Sequence, residues 1–420
     1  MPAHRFSILS LVFLGACAHP RAGTGGVETT TGTTSEHCLL STGAAAAHAP
    51  VIRIGLTDPV EPSHAPIPTN DGERLVFRHL YETPVRLDCE GKATPELAGT
   101  WVKEDDGRRW TFRLRDGAQF WDGAPVTARD IVFGRGGVGY TLGAPQPSVF
   151  TVMLAKQANE LPPILADPGL AIVKPAPDTS WPIGTGAYWA TSATTTAQEI
   201  RAQNSRGDTL VFRVAAGGDA RDLLDAGVDL LVTRDRALRD YAATLKDRAV
   251  VALPWDRTYV YITAEAGGTK FDGLEQAVRA EARSPEGDAW WGDLRACGIR
   301  SDTSSAPATA GQRRILYARS DPTARELAGR IAALTRAVAT ARSNDDLKGA
   351  VATGKDWGYI VALPRTTADP CRAAQALLPQ WSAKITALVE TRPTAIVRRG
   401  VARWAMDQDG TVHLAPPPSP

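Results

Sequence analysis

The stretch LAGTWVKEDDGRRWTFRLRDGAQFWDGAPVTARDIVF, Leu97 to Phe133, is the one whose reading decides the fold. Trp110, Phe112 and Leu114 alternate with Thr111, Arg113 and Arg115, the period of a strand with one buried face. Asp106-Gly107 lies between that run and Trp101-Val102-Lys103, and Asp-Gly between two such runs marks a hairpin. Further turns follow at Asp116-Gly117 and Asp122-Gly123. Thr127 stands three residues before Asp130 and ahead of an apolar run, so its hydroxyl is expected to cap a short helix.

Outward from this segment, the chain of 420 residues allows two or three domains. Its 43% hydrophobic and 22% charged residues are an ordinary globular composition. Lys plus Arg number 47 against 46 for Asp plus Glu, which argues against a nucleic-acid partner, since that would need clustered excess positive charge. Beyond the N-terminus no run approaches the eighteen or so apolar residues of a spanning helix. His4-Arg5, the apolar Phe6 to Phe13 and Leu14-Gly15-Ala16-Cys17 read as a signal peptide, residues 1–17, whose end resembles a lipobox with lipid on Cys17. Residues 18–50, rich in Gly, Thr, Ser and Ala, read as a flexible tether. Cys38, Cys89, Cys297 and Cys371 remain, which in an oxidising compartment allow two disulfides in three connectivities. No CxxC or Cys/His cluster suggests zinc, and no other cofactor is implied. Gly134-Arg135-Gly136-Gly137-Val138-Gly139 spells GxGxxG but follows a helix, where a dinucleotide loop must precede one. GxSxG, HExxH and Walker A motifs are absent, and with His64, His79 and His413 the only histidines outside the signal and tether, a hydrolase is the least favoured class.

The order of turns and residue types from Trp101 to Phe133 resembles the bacterial extracellular solute-binding proteins of family 5, the oligopeptide-, dipeptide- and nickel-binding proteins of ABC transporters. Trp101, Asp106, Gly107, Trp110, Thr111, Phe112, Leu114, Arg115, Gly117, Phe120, Asp122, Gly123, Pro125 to Ala128 and Asp130 to Phe133 carry that resemblance. Pro182, Gly184, Thr185, Gly186 and Tyr188 are similar to a second family line, with Ala187 in place of its usual proline. Asp369-Pro370 and Phe271 to Ala282 match helix starts of relatives. The resemblance implies an α/β, two-lobed periplasmic-binding-protein-like fold with a cleft between mixed-sheet lobes. Its expected divisions are lobe 1 at 51–255, lobe 2 at 256–388, a return to lobe 1 at 389–414 and a disordered tail at 415–420.

Within that architecture, Cys38 with Cys89 and Cys297 with Cys371 is the preferred pairing, because each pair then stays in one lobe; free thiols are the alternative. Glu61, in the loop after the first strand, and Trp255, Tyr259 and Tyr261, on the crossing to the second lobe, are candidate ligand contacts, with a solvated loop acid and core packing as the competing explanations. Peptide-binding relatives place an acid for the ligand ammonium after the strand that here ends at Pro364. This chain has Arg365-Thr366-Thr367 there, so Arg365 would favour an anionic group if it faces the cleft. The expected function is capture of a peptide or similar small solute by lobe closure for an ABC transporter permease. The protein would be a monomer held to the cell envelope by its lipid, on the periplasmic side or the outer face of the cytoplasmic membrane. A shortened relative acting as a sensor or surface lipoprotein is the alternative. The expected strand Gln312 to Ala318 is followed by an Asp321-Pro322 helix start and a core-facing stripe of Leu327, Ile331, Leu334 and Val338.

Overall fold

The computed structural model describes residues 36–40, 42, 49–132, 139–160, 163–176, 181–191, 198–263, 291–292, 313–364 and 384–415. The hairpin forms as its pattern requires: strands Ala98–Glu104 and Arg109–Leu114 run antiparallel, with Trp101 opposite Phe112. Its turn uses three successive left-handed residues, Asp105, Asp106 and Gly107, at φ 48°, 52° and 88°. Strands Val149–Leu154 and Tyr140–Gln146 complete a four-stranded antiparallel sheet. Trp110, Phe112 and Leu114 point into its core, where Phe112 stacks on Phe150 with ring centroids 4.7 Å apart. At the helix Ala128–Val132 the roles of the expected cap are exchanged. The Thr127 N–H and hydroxyl both donate to Asp130 Oδ2 at 2.7 Å, so the acid in the first turn closes the end and the hydroxyl does not receive a backbone N–H.

The first lobe is built on a seven-stranded sheet. Its order is Arg248–Ala252, Thr394–Arg398, Leu230–Thr233, Val51–Leu56, Thr209–Val214, Glu199–Gln203 and Trp189–Ala190. Val51–Leu56 pairs in parallel with Thr209–Val214 on one side and Leu230–Thr233 on the other, and burial on both faces suits its aliphatic run. The helix Asp71–Leu80 packs against this sheet through Leu75, Val76 and Leu80. It begins three residues before the expected Arg74, because the Asn70 side chain accepts the Glu73 N–H at 2.8 Å.

Gly184 and Gly186 of the Gly-Thr-Gly turn are needed for close approach rather than to shape an opening. A Cβ on Gly186 would lie 2.6 Å from the Leu80 carbonyl carbon and oxygen, and one on Gly184 would lie 2.5 Å from the Tyr81 ring. Backbone at the helix end cannot yield cheaply, so Gly186→Ala is expected to destabilise by about 1–3 kcal/mol, read as a lowered urea midpoint with unchanged slope.

The second lobe carries a six-stranded sheet, ordered Trp291–Gly292, Lys384–Thr391, Arg257–Thr263, Gly358–Pro364, Arg314–Ala318 and Val338–Arg342. Asp321 caps the helix Pro322–Thr335 by accepting the Ala324 N–H at 2.9 Å. Leu327 and Ile331 are buried as expected, but Leu334 is 63% exposed and Val338 belongs to the next strand. The helix stops at Arg336, whose left-handed backbone turns the chain before the stripe is complete, and Ala324, Ala328 and Ala332 supply the rest of the buried face.

Part of the expected tether is fixed. Cys38 and Leu40 are buried, Cys38 is joined to Cys89 by a disulfide, and the Leu40 N–H donates to the Trp404 carbonyl at 2.9 Å. The cross-link and the apolar side chain of Leu40 dock this piece on the hairpin of Trp404–Met406 and Val412–Leu414. Cys17, Cys297, Cys371, Arg365, the 134–138 glycine run, the 271–282 and 369–378 helices and the 416–420 tail lie outside the described residues.

Candidate functional site

In the first sheet the strands ending at Leu56, Val214, Thr233 and Ala252 finish on one edge, where Thr394 begins. The second sheet does the same at Ala318, Arg342 and Pro364, with Arg257 and Thr391 on that edge. The chain passes between the sheets from these two edges, outward through 253–256 and back through 392–393. Both lobes therefore turn the carboxyl ends of their parallel strands toward the crossing, the side on which open α/β sheets bind ligands. The two passages are tied together, Leu253 N–H donating to the Pro393 carbonyl at 2.9 Å and Asp256 N–H to the Thr391 carbonyl at 3.2 Å.

Charged side chains at the strand ends hold this junction. Arg234, following the strand Leu230–Thr233, forks onto both oxygens of Asp256 and donates through Nε to Asp71 Oδ2 at 3.0 Å. From the second lobe, Arg257 Nη2 donates to Asp71 Oδ1 at 2.5 Å and Nη1 lies 3.8 Å from Asp321 Oδ2. Asp321 also accepts the Tyr259 hydroxyl at 2.8 Å. One carboxylate, Asp71 at the start of its helix, thus receives a guanidinium from each side of the junction. Burial raises its acidity constant, but Arg257 and Arg234 outweigh burial and hold the carboxyl well below the usual carboxylate range.

Asp58, at the turn after the first strand, behaves oppositely. Burial, and then the neighbouring Asp71 charge, push its carboxyl up from 3.8 to about 6 against the pull of Arg257, the Gly72 N–H and Arg234. The folded state then holds a proton that the unfolded chain has released between about pH 4 and pH 6, so this group's contribution to stability falls as pH rises through that window. Asp58→Asn is expected to gain about 1–3 kcal/mol at pH 7 and little at pH 4, measured by urea unfolding at both values.

The loop that follows is shaped by buried Glu73. Its carboxylate accepts the Glu61 N–H at 3.1 Å, the Thr69 N–H at 2.7 Å and the Thr69 hydroxyl at 2.8 Å, and contacts His64 Nδ1 at 2.7 Å. Glu61 itself is exposed, the loop acid of the competing explanation. Trp255 is half-buried on the outward passage, with the Arg392 guanidinium of the return passage 4.6 Å from its ring centre. Tyr259 and Tyr261 do not line an opening. Both are fully buried in the core of the second lobe, because their strand is central in its sheet and its face is covered by the helix Pro322–Thr335. Sequence reasoning missed Asp71, Arg234, Asp256 and Arg257; the signal available was opposite charge placed at the ends of apolar runs, as in Val232-Thr233-Arg234 and Asp256-Arg257-Thr258. Among the described residues no group of three or more His, Cys, Asp or Glu could hold a metal ion, and no helix is long and apolar enough to cross a membrane.

Residues 92–203 match the family described as bacterial extracellular solute-binding proteins, family 5 middle. Over 61 residues, 14% of this chain and 11% of its relative, the sequence is 47% identical to the periplasmic murein peptide-binding protein MppA of Escherichia coli (strain K12). Over 90 residues it is 37% identical to the periplasmic oligopeptide-binding protein OppA of Haemophilus influenzae, a match spanning 21% of this chain and 17% of that one. These sequence matches thus cover under a quarter of each relative's length. The fold likeness is far longer. The structure of the E. coli murein tripeptide binding protein MppA matches at a TM-score of 0.61 with 14% identity, covering 89% of this chain and all of that one. NikA from Brucella suis, solved with Fe(III)-EDTA, matches at 0.61 and 14% identity over 83% of this chain and 95% of that one. By the hairpin-and-turn segment it shares in sequence, set in the two-lobed fold it shares in structure, the chain belongs to the bacterial extracellular solute-binding proteins of family 5.

Proposed function

We propose that this protein captures a peptide or similar small solute between its two lobes and delivers it to an ABC transporter permease. The observation that carries this reading is the pairing of the two carboxyl edges across a double passage of a few residues. Short adjacent crossings act as a hinge, and a solute that touches both edges favours the shut arrangement over the open one by its extra contacts. Relatives named as binding murein peptides and oligopeptides support the peptide class, and the Fe(III)-EDTA complex of NikA extends it to small chelates. Trp255 at the hinge and Glu61 on its loop are the candidate contacts at this junction, with Arg365 as the partner of an anionic group. The chain is exported, held to the envelope through lipid on Cys17, and works as a monomer.

Thermal melts against a panel of di- to pentapeptides and nickel chelates test the reading. A hit is expected to raise the midpoint and to shrink the radius of gyration in solution scattering. A panel that leaves both quantities unchanged would remove solute capture as the function.

A further inference from the structure

Away from the junction, the first lobe holds a pocket of about 500 Å³ between the outer face of the helix Asp71–Leu80, the turns at 163–171 and the tip of the C-terminal hairpin. That volume lies within the range of small-ligand sites. Phe77, Tyr81, Leu87 and Ile164 give it an apolar wall. Two of its charged residues are already spent: Arg78 Nε donates to Asp407 Oδ2 at 2.6 Å, and Arg78 Nη1 lies 3.1 Å from Glu96 Oε1.

Three others are available, one from each wall. Arg74 has a side chain 34% exposed, with its nearest ion-pair contact, Asp71, 4.0 Å away. Asp167 and Asp409 are exposed, and each uses Oδ1 on a backbone N–H of its own turn, that of Gly169 at 2.7 Å and that of Thr411 at 2.9 Å. The Thr411 hydroxyl, also in the pocket wall, is buried without a hydrogen-bond partner. A guanidinium suits a carboxylate, carboxylates suit an ammonium, and the wall suits a hydrocarbon body. A ligand of one charge would bring either Arg74 or the two acids out of water without a partner.

We propose that this pocket is a second binding site, separate from the junction, for a small zwitterion with an apolar body, the class of a hydrophobic amino acid. Titration calorimetry on the full chain tests this with phenylalanine, its N-acetyl derivative and its amide. Phenylalanine is expected to bind at least about tenfold more tightly than either derivative, because each derivative forfeits one charge-assisted contact. Arg74→Gln and Asp167→Asn are each expected to weaken phenylalanine by about tenfold. Both are surface changes, and melting curves establish that the variants are folded. Equal binding of the three compounds, phenylalanine affinity unmoved by both variants, or no heat from phenylalanine at millimolar concentration overturns the proposal. Solute capture at the junction is read by the compaction experiment and stands or falls separately.

Discussion

Alanine in place of Asp71 is expected to cost about 3–5 kcal/mol of folding stability, because it strands two guanidinium groups that share one carboxylate in a poorly solvated junction. Arg234 keeps Asp256, but Arg257 is left with Asp321 at 3.8 Å, which is too long for a hydrogen bond. The pH dependence has a definite sign. Asp71 is held below its ordinary value, as is Asp407, where burial is outweighed by Arg78 and, next, by His413 and Arg86. Both therefore contribute stability that is complete above the unfolded value of 3.8 and is lost as the solution is acidified below it. The Asp71→Ala variant should show a shallower acid limb than the parent in urea midpoints taken from pH 6 down to pH 3. A loss under about 1 kcal/mol with an unchanged limb would mean that this ion cluster behaves like an exposed surface pair.

Reduction, or Cys38→Ser with Cys89→Ser, is expected to cost about 4 kcal/mol, the chain-entropy value for a closed loop of 51 residues. The loop contains the first strand, the Asp71–Leu80 helix and the Asp58 turn, so much of one side of the junction is held inside a covalent ring. Native-state proteolysis should then cut near residues 36–50 in the double variant, where the parent resists because Cys38 and Leu40 are buried. Resistance unchanged by reduction would place the restraint in the apolar packing of Leu40 and not in the sulfur bridge.

What the sequence disclosed, and what it withheld, follows from the range of the interactions concerned. The hairpin at Asp106-Gly107, the strand from Val51 and the Asp321-Pro322 helix start are written in neighbouring residues, and they form where the pattern puts them. Leu334 and Val338 misled because a helical stripe predicts a face but not where the helix ends. Tyr259 and Tyr261 misled for a similar reason: an aromatic on a strand next to a crossing fits a pocket or a core equally, until it is known that a helix covers that face. The ion cluster was out of reach, since Asp71, Arg234 and Arg257 are up to 186 residues apart and no local rule pairs them. Asp58 was legible as a turn residue, but its raised acidity depends on Asp71 beside it.

The strand Thr394–Arg398 sits between Arg248–Ala252 and Leu230–Thr233, an interior position in the first sheet. A chain emerging from its amino end therefore makes most of that sheet, then the whole second lobe, before the missing plank arrives from the last few dozen residues. Until then two strand edges stand open, which favours delayed, largely post-synthetic completion and exposes the nascent protein to mispairing. Such a layout suits a polypeptide that is threaded through an export channel unfolded and assembles after its tail has cleared.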